Sequence, residues 1–159
     1  MQENRMREAV RAQFMATFAM LRATIEQCPA SLWDDPADKN RFWQVAYHAL
    51  FYAHLYLHPS HDVFVPWANH REKVELMGAT TSALYTKAEL LGFLDECEVH
   101  ATEQVAALDF SAPSGFHWLH MNKLEVQLYN IRHLQLHIGE LAERLSQRAA
   151  IDVSWVSRG

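Results

Sequence analysis

Near the C-terminal end, Asn130-Ile-Arg-His133-Leu-Gln-Leu-His137-Ile-Gly-Glu-Leu141 sets two histidines four residues apart inside a long apolar-periodic segment. Through Leu124, Leu128, Ile131, Leu134, Ile138, Leu141 and Leu145 the apolar residues recur every three or four positions, the pattern of a helix with one buried face. On such a helix His133 and His137 stand one turn apart, about 40° around the axis, so both imidazoles can reach one metal ion. Leu141 and Leu134 fall near 80° and 100° from His133, so the pair points to the seam with a neighbouring helix. Two ligands do not complete a site. The best third is His48, on a different apolar segment, and the chain is expected to be a helical bundle around this three-histidine centre.

The remaining chain supplies the other helices of a single domain over residues 1–159. Val10, Phe14, Phe18, Leu21 and Ile25 mark an amphipathic helix over about 4–27, stopped by Pro29. Residues 30–40, with one proline and three aspartates, read as a connector. A second helix over about 39–57 is apolar on most sides and therefore the most buried, with His48 at its middle. After His58-Pro59, residues 59–85 lack clear periodicity, save for a short turn around 71–76, and read as a strap over one end of the bundle. Thr86-Lys-Ala-Glu89 is a capping box opening a third helix, about 87–108, striped by Leu90, Leu94, Cys97, Ala101 and Val105. Ser111 to Gly115 is a loop, the fourth helix covers about 118–148, and the tail is a short extended piece anchored by Trp155. The fold class is all-α: four long helices, with a long connection between the second and third that permits a non-sequential crossover.

Composition narrows the function. A formal charge of −5 with no basic run argues against nucleic acid as partner. No segment reaches the roughly 18–20 unbroken apolar residues of a membrane span, and Met1-Gln-Glu-Asn-Arg does not read as a secretory leader. Cys28 and Cys97 suit reduced thiols, so a cytoplasmic location is expected. No nucleotide-binding glycine pattern and no GxSxG nucleophile motif is present.

Ten histidines must be sorted. An unpartnered imidazole at His48, inside the most buried segment, would cost about 1–3 kcal/mol, which favours a ligand role. Three neutral imidazoles can hold Zn²⁺, Ni²⁺ or a similar ion and leave positions open, as catalytic sites do. His54 lies about 120° from His48 around the axis, so those two cannot share an ion. His54, His58, His61, His70, His100, His117 and His120 are read as surface or capping residues. Tyr52, one turn after His48, and Tyr129, one turn before His133, could line an open position. Glu140, about 20° from the His133 direction, is read as an acceptor for an imidazole N–H, a proton-transfer group, or a partner for Arg144.

Four helices, Phe42-Trp-Gln-Val-Ala-Tyr-His48 and His133-x-x-x-His137-x-Gly139-Glu140-Leu141 together resemble the DinB/YfiT-like superfamily, over essentially the whole chain. The resemblance implies an up-down-down-up four-helix bundle, often a homodimer, binding a divalent metal through His48, His133 and His137. It also implies activities among thiol S-transferases, a thiol-dependent isomerase and metal-dependent hydrolases. The leading expectation is transfer of a low-molecular-weight thiol cosubstrate to an electrophilic small molecule. The alternatives are hydrolysis with Glu140 as base, or a non-catalytic binder of metal or small ligand. An apolar face of the first helix is expected to serve a two-fold interface.

Overall fold

In the computed structural model, which describes residues 1–78 and 84–159, the chain forms five α-helices with no strand among the described residues. Four are long: α1 (Gln2–Gln27), α3 (Phe42–Leu57), α4 (Lys87–Ala107) and α5 (Lys123–Ala149). The fifth, α2 (Ala30–Trp33), was expected to be plain connector. It forms because Leu32 and Trp33 bury against the bundle and the Trp33 indole donates to the Tyr85 carbonyl at 2.8 Å. α3 accordingly starts at Phe42 rather than 39.

The capping box of α4 is as expected. Thr86 Oγ accepts from the Glu89 amide, and Glu89 returns the bond to the Thr86 amide. α5 starts later than its apolar pattern suggested, at Lys123 instead of 118. Asn122 caps it by accepting from the Glu125 amide at 2.9 Å. Residues 116–121 are held out of the helix by the buried Ser114 hydroxyl, which donates to the Leu119 carbonyl at 2.6 Å and accepts from the Phe116 amide. Gly115, at φ +84, closes this loop, and a Cβ there would lie 2.3 Å from the Pro59 carbonyl oxygen.

Side-chain pairings give the directions of the helices. Arg7 reaches the Val105 carbonyl and Arg22 pairs with Asp95, so α1 and α4 are antiparallel. Gln127 donates to the Tyr56 carbonyl and Asn130 to that of Ala53, so α3 and α5 are antiparallel. Tyr47 meets Phe93 and His54 meets His100, so α3 and α4 run parallel. α1 and α3 each pack on α4 and α5 and touch one another only slightly.

Parallel neighbours require the chain to be carried back, and the strap does this along α3 instead of over one end. Phe64 packs on His58 and Phe51, His70 on Phe51 and Tyr47, and the Glu75 carbonyl meets His48. Finally the Gly78 amide donates to Asn40. Trp67 pins the strap, its ring stacked 4.5 Å from Phe93 at 9°. The turn expected around 71–76 is present, without becoming a helix.

The tail runs extended along α1, the Gly159 amide donating to the Ala12 carbonyl at 3.1 Å. Trp155 is 72% exposed and does not anchor it; Ile151, Val153 and Val156 pack instead. The apolar stripe of α1, from Val10 to Ile25, is buried in the core of the monomer, so it is not an open face for a second copy. No helix among the described residues is long and apolar enough to cross a membrane.

Trp67 is the side chain on which the strap depends. Trp67→Ala should cost about 3–5 kcal/mol, as large-to-small core substitutions do, and lower the urea midpoint accordingly. A change within 0.5 kcal/mol, roughly the surface range, would show that the strap is held elsewhere.

Candidate metal centre

Antiparallel pairing of α3 and α5 sets His48 opposite His133 and His137. His133 Nε2 lies 3.3 Å from His48 Nε2 and 3.1 Å from His137 Nε2. The three residues can present one ligand nitrogen each, all within 4.8 Å of one another.

The outer nitrogens explain why the inner ones converge. His48 Nδ1 is 2.6 Å from the Glu75 carbonyl oxygen, which can only accept, so the proton sits on Nδ1. His137 Nδ1 donates to Glu140 Oε2 at 2.8 Å, which fixes the same tautomer. Both Nε2 atoms therefore turn lone pairs inward. Only His133 can supply a proton to the cluster, and its Nδ1 is buried with no hydrogen-bond partner. Three facing nitrogens with at most one proton among them suit a cation. Tetrahedral ligands at about 2.0–2.1 Å from an ion are about 3.3 Å apart, close to the spacing seen here. The donor set fits a borderline divalent ion such as Zn²⁺ or Ni²⁺.

Electrostatics points the same way. Burial pushes His133 down to about 4, helped by His137 and His48. Burial also lowers His48, against the opposing effect of the Glu75 carbonyl. For His133 and His48 the neutral imidazole that a metal requires is thus the stable form at neutral pH.

The other expected site residues are placed unequally. Glu140 meets His137, not Arg144, whose guanidinium pairs with Asp38 at 3.1 Å. Tyr52 lies beside the cluster, its ring 4.8 Å from that of His48 and 5.6 Å from that of His133. Tyr129 stacks parallel to His133 at 6.4 Å and lines, with Arg132, His133 and Leu136, a pocket of about 310 Å³. The Glu75 carbonyl was not foreseen, because a backbone acceptor leaves no mark on the residue type.

Several histidines depart from their expected surface or capping roles. His70 Nδ1 is 2.5 Å from the Tyr47 hydroxyl. His61 is exposed as expected, against Trp118 and away from the centre. His54, His58 and His100 gather into a second group. His100 is about 60° from Cys97 on the helix, so it looked off the stripe of α4, but the parallel contact with α3 turns that edge into a seam.

The metal-stripped protein should lose stability as pH falls from about 6.5 toward 4. His133, at about 4 when folded, has an ordinary value of 6.5, so the unfolded chain binds the extra proton across that window. Thermal melting of the apo protein against His133→Gln measures this, the variant being expected to show a flatter profile between pH 6.5 and 5.

Comparisons with protein-family models, with curated proteins and with solved structures find no match to this chain, so the chemistry of the centre is argued from its own residues.

Proposed function

We propose that the chain is a DinB-like, metal-dependent enzyme that transfers a low-molecular-weight thiol to an electrophilic small molecule. Support for the up-down-down-up arrangement comes from antiparallel α1–α4 and α3–α5 contacts with parallel α3 and α4. The observation that carries the chemistry is an open three-imidazole cluster with no thiolate of the protein's own to use. Cys28 and Cys97 are both buried, and burial pushes Cys28 up to about 11 and Cys97 well above its ordinary value. The sulfur must come from a cosubstrate.

His48, His133 and His137 would hold a divalent ion as neutral imidazoles, and such an ion would supply the positive charge that acidifies a thiol brought to the cluster. The thiol would release its proton to solvent, its sulfur would bond to the electrophilic carbon, and the leaving group would depart with the electron pair of the broken bond. Glu75 and Glu140 hold the outer protons of His48 and His137, keeping both Nε2 lone pairs directed inward. Tyr52 and Tyr129 wall the cluster, and Arg132 lines the adjoining pocket as a fixed positive charge for an anionic reactant. A hydrolytic reading would need Glu140 as base, yet its Oε2 already accepts the His137 proton, so Glu140 is assigned to positioning.

Untagged protein should carry at least one divalent ion per chain by mass spectrometry, and His48→Ala and His133→Ala should each carry one fewer. Glu140→Ala should weaken metal binding by about 10–100-fold, as loss of such an orienting partner does elsewhere. In the Co²⁺-substituted protein, physiological thiols should shift the visible absorption. A spectrum indifferent to all of them would overturn the thiol assignment.

A further inference from the structure

α3 carries a second histidine pair, His54 and His58, six and ten residues beyond His48. His54 is displaced from His48 by about 9 Å along the axis and about 120° around it, so this pair looks toward α4 instead of α5. There it meets His100. The rings of His54 and His58 are 4.8 Å apart, those of His54 and His100 4.9 Å, and those of His58 and His100 4.5 Å. The first centre has ring separations of 4.6–5.2 Å. Each trio also offers three ligand nitrogens within 4.8 Å. The architecture is the same: an i, i+4 pair on one helix and a third imidazole from its neighbour.

Hydrogen bonding does not use up this cluster. His58 Nδ1 donates to the His54 carbonyl at 2.8 Å, the bond that helps end α3, and this leaves the His58 Nε2 lone pair free. His100 Nε2 stands 3.3 Å from that same, already committed Nδ1. His54 Nδ1 is buried without a partner, the counterpart of His133 Nδ1 in the first centre. Burial, together with the other imidazoles, holds His54 down at about 3 and His100 at about 4, so these rings are neutral at neutral pH. Phe64 from the strap covers His54 and His58 edge-on. The cluster also borders a pocket of about 430 Å³ lined by His54 and His100 with Asp95, Glu96 and Glu103; Asp95 is paired with Arg22, and the remaining carboxylates favour a cation at the mouth.

We propose that His54, His58 and His100 form a second site for a divalent transition-metal ion of the Zn²⁺, Ni²⁺, Co²⁺ or Cu²⁺ class, at the α3–α4 seam. The ion clamps the C-terminal turn of α3, and with it the start of the strap, to α4. The site shares no residue with the first centre and does not depend on the function proposed for it.

The test is titration of metal-free full-length protein with Co²⁺ and Zn²⁺, followed calorimetrically and by Co²⁺ absorption, beside His100→Ala and His133→Ala. Two equivalents are expected in the parent chain and one in each variant. Chelation should lower the melting temperature of His133→Ala, whose remaining ion is the second one. His58→Gln, at the half-exposed end of α3, serves if His100→Ala fails to fold, and should also bind one equivalent fewer. An unchanged stoichiometry in folded His100→Ala or His58→Gln overturns the site, as does a single parental equivalent lost only in His133→Ala. A single equivalent lost only in His100→Ala would sustain the second site and remove the first.

Discussion

α3 is enclosed by α4, α5 and the strap, and almost every side chain on it is buried. Polar groups on such a helix must find partners inside the protein, because an unpaired one costs about 1–3 kcal/mol. On the α5 side this requirement forms a register of polar rungs. Gln127 meets the Tyr56 carbonyl, Asn130 that of Ala53, and the next rung is His133 with His137 against His48. The position of the three-histidine cluster thus follows from the same antiparallel register that satisfies the amides. Shifting the register by one residue would rotate about 100° of helix face and break every rung together.

The other face of α3 imposes a second constraint. Because α4 runs parallel to it, the connection has to travel the length of the helix, and in doing so it becomes part of the site. The Glu75 carbonyl it delivers determines which nitrogen of His48 is protonated, and hence which one is available as a ligand. Trp67 and Tyr85 anchor both ends of this path, Tyr85 accepting the Trp33 indole proton through its carbonyl and donating its hydroxyl proton to Asn69. Local packing of the strap and ligand orientation are therefore one energetic unit.

What could be read from the sequence was whatever depends on periodicity and local chemistry. The apolar stripes located four long helices, Thr86 and Glu89 located a helix start to the residue, and the His133–His137 spacing with His48 located one cluster that the fold does assemble. The misplacements have physical causes. A capping signal lay in Asn122 and Glu125, but the apolar residues before it resembled helix, and only the buried Ser114 hydroxyl draws them away. Trp155 looked like an anchor by size, yet the tail is tied down by its backbone and by smaller apolar neighbours. The second histidine group was missed because His100 lies about 60° from Cys97, off the apparent stripe of α4, and only the parallel contact with α3 makes that edge a seam. The direction in which the strap runs was hidden for the same reason.

Two clusters on different faces of one helix, about 120° apart, differ most in the charge around them. The pocket beside His133 carries Arg132, whose guanidinium lies 5.6 Å from the centre of the Tyr129 ring. The pocket beside His100 carries Asp95, Glu96 and Glu103. Arg132 favours an anionic nucleophile at the first, and Glu96 and Glu103 disfavour one at the second, where Asp95 is already paired with Arg22. In the proposed scheme this divides the labour: thiol chemistry belongs at the α3–α5 seam, and holding the bundle together belongs at the α3–α4 seam. An ion in either place would bind the folded chain more tightly than the unfolded one, so each would also stabilise the fold by mass action. Since both seams act on α3, an ion at either place would secure the helix that carries His48 to the other.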